Sequence, residues 1–176
     1  MSTIVTSHYA HYLCVIEGKR SNWFQHIQTI QEPDSIMLLT VSALSYNGRH
    51  LVTYAYDERL KMTYVTAWLA YEGRKVRRMA GQGNVGALAV SHNMDVVLIG
   101  KENGELRIWE PRRHGSERVC TPYPGCSFVA GKSRVWLSDD ATLAFCLTKE
   151  ISAWDIATGA VLAVYTPDVS IQVFHS

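Results

Sequence analysis

Cysteines and histidines are the residues of this sequence best suited to bind a metal ion or form covalent bonds. Cys120 and Cys126 lie six residues apart across T-P-Y-P-G. A disulfide is one interpretation of this pair, and a reduced pair on a loop is the one we favour. His8 and His11 have the spacing of metal ligands, but they lie across a turn into a strand rather than on a helix face. Because no C-x-x-C stands beside a second ligand pair, we predict no metal site.

Motifs for catalysis are also missing from the sequence. It contains no G-x-S-x-G elbow, no H-E-x-x-H and no glycine-rich phosphate loop. The carboxylates cluster only at Asp139 and Asp140, in S-D-D-A, where aspartate favours a turn through its own backbone hydrogen bonds. We therefore predict a protein that is not an enzyme and uses no cofactor.

One basic segment, Arg74-Lys75-Val76-Arg77-Arg78, is open to two interpretations. It has the composition of a nuclear import signal or a phosphate-binding patch. It also fits an exposed outer strand, where basic residues discourage edge pairing, and we favour this second interpretation. The formal net charge of the chain is only +1, so nucleic acid is not an expected partner.

The overall composition is that of a folded globular protein. The chain has 176 residues, 47% of them hydrophobic and 19% charged, which is enough to form a core and excludes a disordered class. No apolar stretch approaches the roughly 18 residues of a membrane helix. The first residues, M-S-T-I-V-T-S, do not resemble a secretory signal. We expect a cytoplasmic location, with a nuclear one as the alternative.

The stretch from Val96 to Glu110 shows which elements carry these residues. Residues 96–99 are apolar and mostly β-branched, and residues 105–109 alternate polar and apolar, as in a half-buried strand. Asn103 and Gly104 between them tolerate the positive φ that a two-residue hairpin turn requires. The sequence predicts a hairpin whose second strand ends on Trp109.

This pattern recurs along the chain. Four tryptophans are spaced 45, 41 and 45 residues apart: Trp23, Trp68, Trp109 and Trp154. A second marker, a serine that closes an apolar stretch, recurs at intervals of 38, 46, 47 and 38: Ser7, Ser45, Ser91, Ser138 and Ser176. Two markers in phase indicate an internal structural repeat.

Each repeat can be divided into four strands. The first strand precedes the serine, the second follows its turn, and the third carries the tryptophan. A more exposed fourth strand is predicted at residues 27–30, 75–79, 118–120 and 161–165. Cys14 and Cys146 lie on second strands, so we expect both to pack in the core. Short strands at regular spacing predict an antiparallel all-β array.

Two segments, G-K-E-N-G-E-L-R-I-W-E and I-S-A-W-D-I-A-T-G-A-V-L, resemble WD40 repeats. Only Trp154-Asp155 is a literal W-D pair, and no Gly-His precedes any unit, so the family's full hydrogen-bonded set is absent. The resemblance implies one all-β domain over 1–176, a β-propeller-like array of about four four-stranded blades. The blades would span residues 3–37, 38–79, 84–122 and 130–166, followed by an extra first strand at 169–176. The longer protein to which such a propeller would belong is expected to be a NACHT–WD-type signalling protein.

Four blades and one extra strand leave three arrangements open. We favour a fragment or short isoform of a longer propeller. A second copy of the chain that completes the ring is another arrangement, and a small four-bladed ring is the third.

The resemblance implies a non-catalytic scaffold that displays loops to a partner protein. Six residues are candidates for the contact, all predicted on loops: Tyr56, Arg59, Lys61, Arg112, Arg113 and Tyr123. The first three belong to residues 56–65, which we predict to be a long solvated hairpin. Phospholipid or nucleic-acid binding through the basic segment is the alternative function, and self-association is expected if the propeller is incomplete.

Overall fold

The computed structural model describes residues 2–7, 12–18, 24–31, 37–57, 59–81, 83–113, 116–120 and 126–166. Fifteen β-strands lie within these ranges: β1 (Ser2–Ser7), β2 (Tyr12–Gly18), β3 (Phe24–Gln31), β4 (Met37–Leu44), β5 (His50–Asp57), β6 (Met62–Leu69), β7 (Arg74–Ala80), β8 (Val85–Val90), β9 (Val97–Lys101), β10 (Leu106–Glu110), β11 (Ser116–Val119), β12 (Arg134–Leu137), β13 (Leu143–Leu147), β14 (Ile151–Asp155) and β15 (Val161–Tyr165). The described residues contain no helix that is long and apolar enough to cross a membrane.

These strands form four consecutive antiparallel sheets, which we call blades 1 to 4. Blades 2, 3 and 4 have four strands each, in the orders β4-β5-β6-β7, β8-β9-β10-β11 and β12-β13-β14-β15. Their first strands β4, β8 and β12 lie next to one another at the inner edge. The all-β, propeller-like fold expected from the sequence is confirmed.

Blade 1 differs from the prediction. Its described strands are three, in the order β1-β2-β3. Residues 27–30, predicted as a separate fourth strand, lie inside β3, because β3 pairs with β2 from Phe24 opposite Gly18 to Gln31 opposite Tyr12. This long pairing leaves no turn between a third and a fourth strand. Trp23 and residues 169–176 lie outside the described residues.

The apolar core lies between the blades. In blade 3, Leu98 and Ile108 pack toward blade 4, whereas Val97, Ile99 and Trp109 pack toward blade 2. Side chains alternate between the two faces of a strand, so a strand covered on both sides must be apolar throughout. This explains why residues 97–100 of β9 are apolar without a break; all of β9, including the Lys101 at its end, is buried.

Each described tryptophan marker packs against the preceding blade. Trp68 lies with Ile30 of β3, Trp109 lies with Val52 and Val65 of blade 2, and Trp154 lies in the cluster between blades 3 and 4. The periodic tryptophan is therefore a contact between blades.

Cysteines contribute to the last of these clusters. Cys120 and Cys146 are 2% and 0% exposed, and burial raises their pKa values to about 11 and about 12. Cys120 is therefore a core residue, and its prediction as part of a loop pair was wrong. The cysteines whose side chains the structure describes, Cys120, Cys126 and Cys146, are all free thiols.

The turn between β9 and β10 is longer than predicted. The Gly104 N–H donates to the Lys101 carbonyl at 2.9 Å, and the Lys101 N–H donates to the Glu105 carbonyl at 2.9 Å. Gly104 has a φ of 88°, but Asn103 is not among the positive-φ residues. This is a three-residue loop with glycine in the left-handed position, rather than a two-residue turn.

The connection from blade 3 to blade 4 crosses the face of blade 3. Phe128 of this connection is fully buried. A Cβ on Gly86 would lie 1.7 Å from the Phe128 carbonyl oxygen, and one on Gly100 would lie 2.6 Å from its ring. Both glycines are therefore required by this close approach rather than by backbone conformation.

We expect Gly86→Ala to lower the free energy of unfolding by at least about 3 kcal/mol, because the added methyl group displaces the Phe128 backbone. Gly83→Ala is the matched control. It meets no atom within 4 Å and has a φ of +65°, so it should cost only about 1–2 kcal/mol. Urea denaturation compares the two variants, and equal losses would contradict the close approach.

Candidate functional site

The inner strands of blades 2, 3 and 4 border an open groove with a volume of about 720 Å³. Leu44, Val90 and Leu137 lie along it, one from the end of each first strand. The groove wall therefore combines apolar surface with a slightly smaller share of polar surface.

Blades 2, 3 and 4 also each place the residue after the marker serine at one end of the groove. These residues are Tyr46, His92 and Asp139. Tyr46 is 96% exposed, and Trp136 on β12 is 42% exposed where it borders the groove. The Trp136 ring stacks on Phe145 with centroids 5.9 Å apart. The groove thus carries two accessible aromatic rings and a mixed polar rim.

A repeated turn holds each rim residue. In blade 3 the Ser91 hydroxyl donates to Asn93 Oδ1 and accepts from the Val96 N–H, both at 3.0 Å. The Asn93 Oδ1 also accepts from the Asp95 N–H at 3.2 Å. Because both ends of the turn are bonded to the same two side chains, the backbone at His92 is fixed.

The same bonds recur in the neighbouring turns. The Ser45 hydroxyl donates to Asn47 and accepts from the His50 N–H; the Ser138 hydroxyl donates to Asp140 and accepts from the Leu143 N–H. The fourth residue of each turn has a positive φ: 71° at Gly48, 63° at Met94 and 56° at Ala141. We call the end of the blades that carries these three turns the serine face.

The turns of blades 2 and 3 are bonded to each other. Asn47 Nδ2 and the His50 ring both donate to the His92 carbonyl, at 3.0 and 2.9 Å. Burial lowers the pKa of His50, and the positive charge of Arg112 lowers it further, although the bond to His92 acts in the opposite direction. A neutral His50 therefore joins two rim turns.

Blade 3 is bonded to blade 4 in a similar way. The Arg118 guanidinium donates to the Ile156 carbonyl at 2.6 Å and to the Ala157 carbonyl. In the same turn, Asp155 Oδ1 accepts from the Thr158 N–H and hydroxyl at 2.6 and 2.7 Å, which holds the pKa of the Asp155 carboxyl below its usual value. The one literal W-D pair thus ends in a turn-closing aspartate.

The marker tryptophans make different polar contacts. Trp68 Nε1 donates to Thr53 Oγ1 on the neighbouring strand at 2.9 Å. Trp154 Nε1 donates instead to Ser152 Oγ on its own strand at 2.8 Å. Packing position is conserved between these blades, whereas the hydrogen-bond partner is not.

The predicted partner-binding residues lie at two opposite ends of the blades. Arg112 and Arg113 are exposed on the turn between β10 and β11, on the serine face. Arg59 and Lys61 are exposed on the turn between β5 and β6, and antiparallel topology places that turn at the other end. They therefore cannot form one contact surface. Tyr123 lies outside the described residues.

Tyr56 is not on a loop. It lies in β5 and is half-buried, because β5 and β6 stay paired as far as Asp57 opposite Met62. Asp57 Oδ1 accepts from the Arg59 and Leu60 N–H groups at 2.9 Å, which closes a turn of only four residues. The prediction of a long solvated hairpin at residues 56–65 was wrong for this reason.

The basic segment forms the outer strand β7 of blade 2. Lys75 lies over the Trp68 ring at 5.3 Å, and Arg78 lies over the Tyr64 ring at 4.8 Å. Arg74 pairs with Glu72 at 2.9 Å. These three cations have partners within the chain, so the strand does not present a simple phosphate-binding patch.

Sequence reasoning missed the groove and its rim. Tyr46, His92 and Asp139 each follow a marker serine, and this shared position was the available signal. Within the described part of the chain, no group of three or more His, Cys, Asp or Glu residues gathers in a geometry for metal binding.

Comparison with known proteins supports the architecture alone. No family model and no curated protein matches the sequence. Among 869 matching chains of solved structures is one from a crystal structure of the mitotic checkpoint complex, with a TM-score of 0.68 and 16% identity. The match covers 95% of this chain and 48% of that one, so this chain spans about half the neighbour's length. At such identity the likeness shows a shared fold.

We expect Ser91→Ala to cost about 1–3 kcal/mol, because the buried Val96 N–H loses the acceptor that Ser91 provides. Ser116→Ala is the control, since the Ser116 hydroxyl bonds Glu110 at the exposed surface. It should change the free energy of unfolding by less than about 0.5 kcal/mol. Thermal and urea unfolding test both, and a Ser91 variant as stable as the control would refute this role.

The His50 imidazole should titrate below its ordinary pKa of 6.5, since burial disfavours the charged ring. Arg112→Gln should move that pKa upward, toward 6.5, because it removes a nearby positive charge. NMR titration of the ring measures both values. Since the folded pKa is lower than the unfolded one, His50 makes the protein less stable as pH falls below about 6.5. A pKa at or above 6.5 would contradict this assignment.

Proposed function

We propose that the protein is a non-catalytic interaction scaffold that binds a partner protein across the serine face and along the inner groove. The observation that carries this proposal is Tyr46, which is 96% exposed on a turn held by side-chain hydrogen bonds. A large side chain on a fixed backbone loses little conformational freedom on binding.

Apolar and polar contacts are both available on this surface. Trp136 and the apolar part of the groove wall suit an apolar or aromatic side chain of the partner. Arg49, Arg112 and Arg113 are exposed on the same face, so carboxylates flanking that side chain would find positive charge. The partner segment we propose is therefore an apolar anchor with acidic neighbours.

Blade-to-blade bonding supports a scaffold role. Asn47 and His50 join the turns of blades 2 and 3, and Arg118 joins blade 3 to blade 4. A surface built from several blades keeps its shape because the turns are tied to one another. The structural neighbour comes from a complex named for the mitotic checkpoint, which is consistent with a fold used in protein assemblies.

Three predictions from the sequence keep their place as parts of this proposal. Arg59 and Lys61 are a second, separate candidate surface away from the serine face, and Tyr123 stays a candidate contact residue outside the described part of the chain. A cytoplasmic location and the absence of a cofactor are also proposed. Lipid or nucleic-acid binding through β7 is not favoured, because Lys75 and Arg78 already lie over aromatic rings.

A photo-crosslinking experiment tests the proposed surface. p-Benzoyl-phenylalanine introduced at Tyr46 should capture a partner, whereas the same group at Lys132, an exposed residue of the connection between blades 3 and 4, should not. Once the partner is identified, Tyr46→Ala and Trp136→Ala should each weaken its binding at least tenfold, because each removes an exposed ring. Lys132→Ala should leave the affinity unchanged.

Two results would contradict the proposal. One is a partner captured from Arg59 but not from Tyr46, which would move the function to the opposite face. The other is salt-sensitive binding to RNA or anionic vesicles that Arg77→Glu/Arg78→Glu abolishes, which would make β7 the binding element.

A further inference from the structure

We propose that Asn103 is a site of slow covalent modification, at which the side-chain amide is hydrolysed while the chain stays folded. The product is a mixture of aspartate and isoaspartate at position 103. Asn103 lies on the turn between β9 and β10, at the end of the blades opposite the serine face. The inference therefore goes beyond the proposed partner binding and does not depend on it.

The reaction uses the backbone nitrogen of the residue that follows the asparagine. The Gly104 nitrogen, after giving its proton to solvent base, attacks Asn103 Cγ and closes a five-membered succinimide ring. The Cγ–Nδ2 bond breaks, and ammonia leaves with the bonding electron pair and a solvent proton. Water then opens the ring at Cγ, which gives aspartate, or at the Asn103 main-chain carbonyl carbon, which gives isoaspartate. Glycine favours the attack because it has no Cβ to shield its nitrogen.

The sequence contains two Asn-Gly pairs, Asn47-Gly48 and Asn103-Gly104, so the chain supplies its own comparison. Both glycine N–H groups are bonded in the same way. Each donates to the carbonyl three residues earlier, at 2.8 Å for Gly48 and 2.9 Å for Gly104. The attacking nitrogen is therefore held equally at both sites, and the difference lies in the asparagine side chains.

The Asn47 side chain is held by both of its polar atoms. Its Oδ1 accepts from the Ser45 hydroxyl at 2.7 Å and from the Arg49 N–H at 3.0 Å, and its Nδ2 donates to the His92 carbonyl of blade 3 at 3.0 Å. Asn47 is also only partly exposed. All three bonds have to break before Cγ can reach the Gly48 nitrogen.

The Asn103 side chain is exposed and held more weakly. Its Oδ1 accepts from the Glu105 N–H at 3.1 Å, and its Nδ2 lies 3.4 Å from Glu105 Oε2, at the long limit of a hydrogen bond. Both partners belong to one residue of the same turn, whereas Asn47 is also bonded to another blade. The barrier to ring closure should therefore be lower at Asn103.

The glycine that makes Asn103 reactive is required by the fold. A Cβ on Gly104 would lie 2.2 Å from the Cys126 carbonyl oxygen, and Gly104 has a φ of 88°. A side chain at this position would meet both the close backbone contact and the strain of the left-handed conformation. The connection from blade 3 to blade 4 thus fixes an Asn-Gly pair on an exposed turn.

Isoaspartate at position 103 should loosen that connection. It sends the main chain through Cγ and so lengthens the turn by one carbon atom. The same turn holds the connection, because the Ser127 hydroxyl donates to the Glu102 carbonyl at 2.9 Å and the Phe128 N–H donates to the Lys101 carbonyl at 3.3 Å. A longer turn displaces these acceptors, so Phe128 should leave its socket more often.

Mass spectrometry of proteolytic peptides from the folded 176-residue chain, aged in mildly alkaline buffer, tests the site. The gain of about one dalton that marks hydrolysis should appear at Asn103 at least about tenfold faster than at Asn47, because at least one more ordinary hydrogen bond has to break at Asn47. Synthetic peptides of residues 44–51 and 100–107 give the two rates without the fold. Enzymatic methylation of isoaspartate identifies the product.

Two variants and a second measurement separate the reaction from its consequence. Asn103→Gln keeps an amide but disfavours the larger ring, so it should abolish the mass gain at this position. Amide hydrogen exchange at Phe128 should be at least about tenfold faster in the isoaspartate form than in the unaged chain. Asn103→Asp adds the charge without lengthening the turn and should leave that exchange unchanged.

Each contrary result overturns part of the proposal. Equal rates at the two asparagines of the folded chain, after correction for their peptides, overturn the site, as does an Asn103 that stays intact after its peptide has reacted completely. Exchange at Phe128 that is the same in the isoaspartate form and the unaged chain overturns the effect on the connection. So does exchange that Asn103→Asp raises to the same extent.

Discussion

The contact of one sheet with the next is the interaction on which this structure depends. A single four-stranded sheet is too small to form a core alone, so a blade depends on neighbouring sheets to bury its apolar side chains. Blade 3 shows the result, with Leu98 and Ile108 on one side and Val97, Ile99 and Trp109 on the other. The described tryptophan markers, Trp68, Trp109 and Trp154, follow from the same requirement, since each packs against the preceding blade.

Turns and strands have separate tasks in this fold. The strands supply the apolar contact between blades. The serine turns fix the backbone at the end of the groove through hydrogen bonds from backbone N–H groups to the serine hydroxyls. The residue that follows each serine makes none of those bonds through its own side chain. Its identity can therefore change from tyrosine to histidine to aspartate while the turn stays the same.

Much of the fold could be predicted from sequence because it depends on local pattern. Apolar alternation and a glycine turn predicted the bounds of β9 and β10 closely. The outer strand at 161–165 was predicted at its observed bounds. The sequence predictions were wrong at positions where contacts between segments distant in sequence determine the structure. Tyr56 lies in a strand because β5 and β6 pair further than their charged residues suggest, and Cys120 is buried because blade 4 covers it. The groove was missed because its residues come from three blades.

The path of the chain around Phe128 affects where one module ends and the next begins. Phe128 follows blade 3 in sequence, yet it fills a socket inside blade 3 that Gly86 and Gly100 leave open. A segment cut after the last strand of blade 3 would keep all four strands but lose the side chain that fills their socket. The four strands that repeat in the sequence therefore do not coincide with the packed unit, which also includes Phe128. A segment that keeps blade 3 with its socket filled therefore has to extend beyond Phe128.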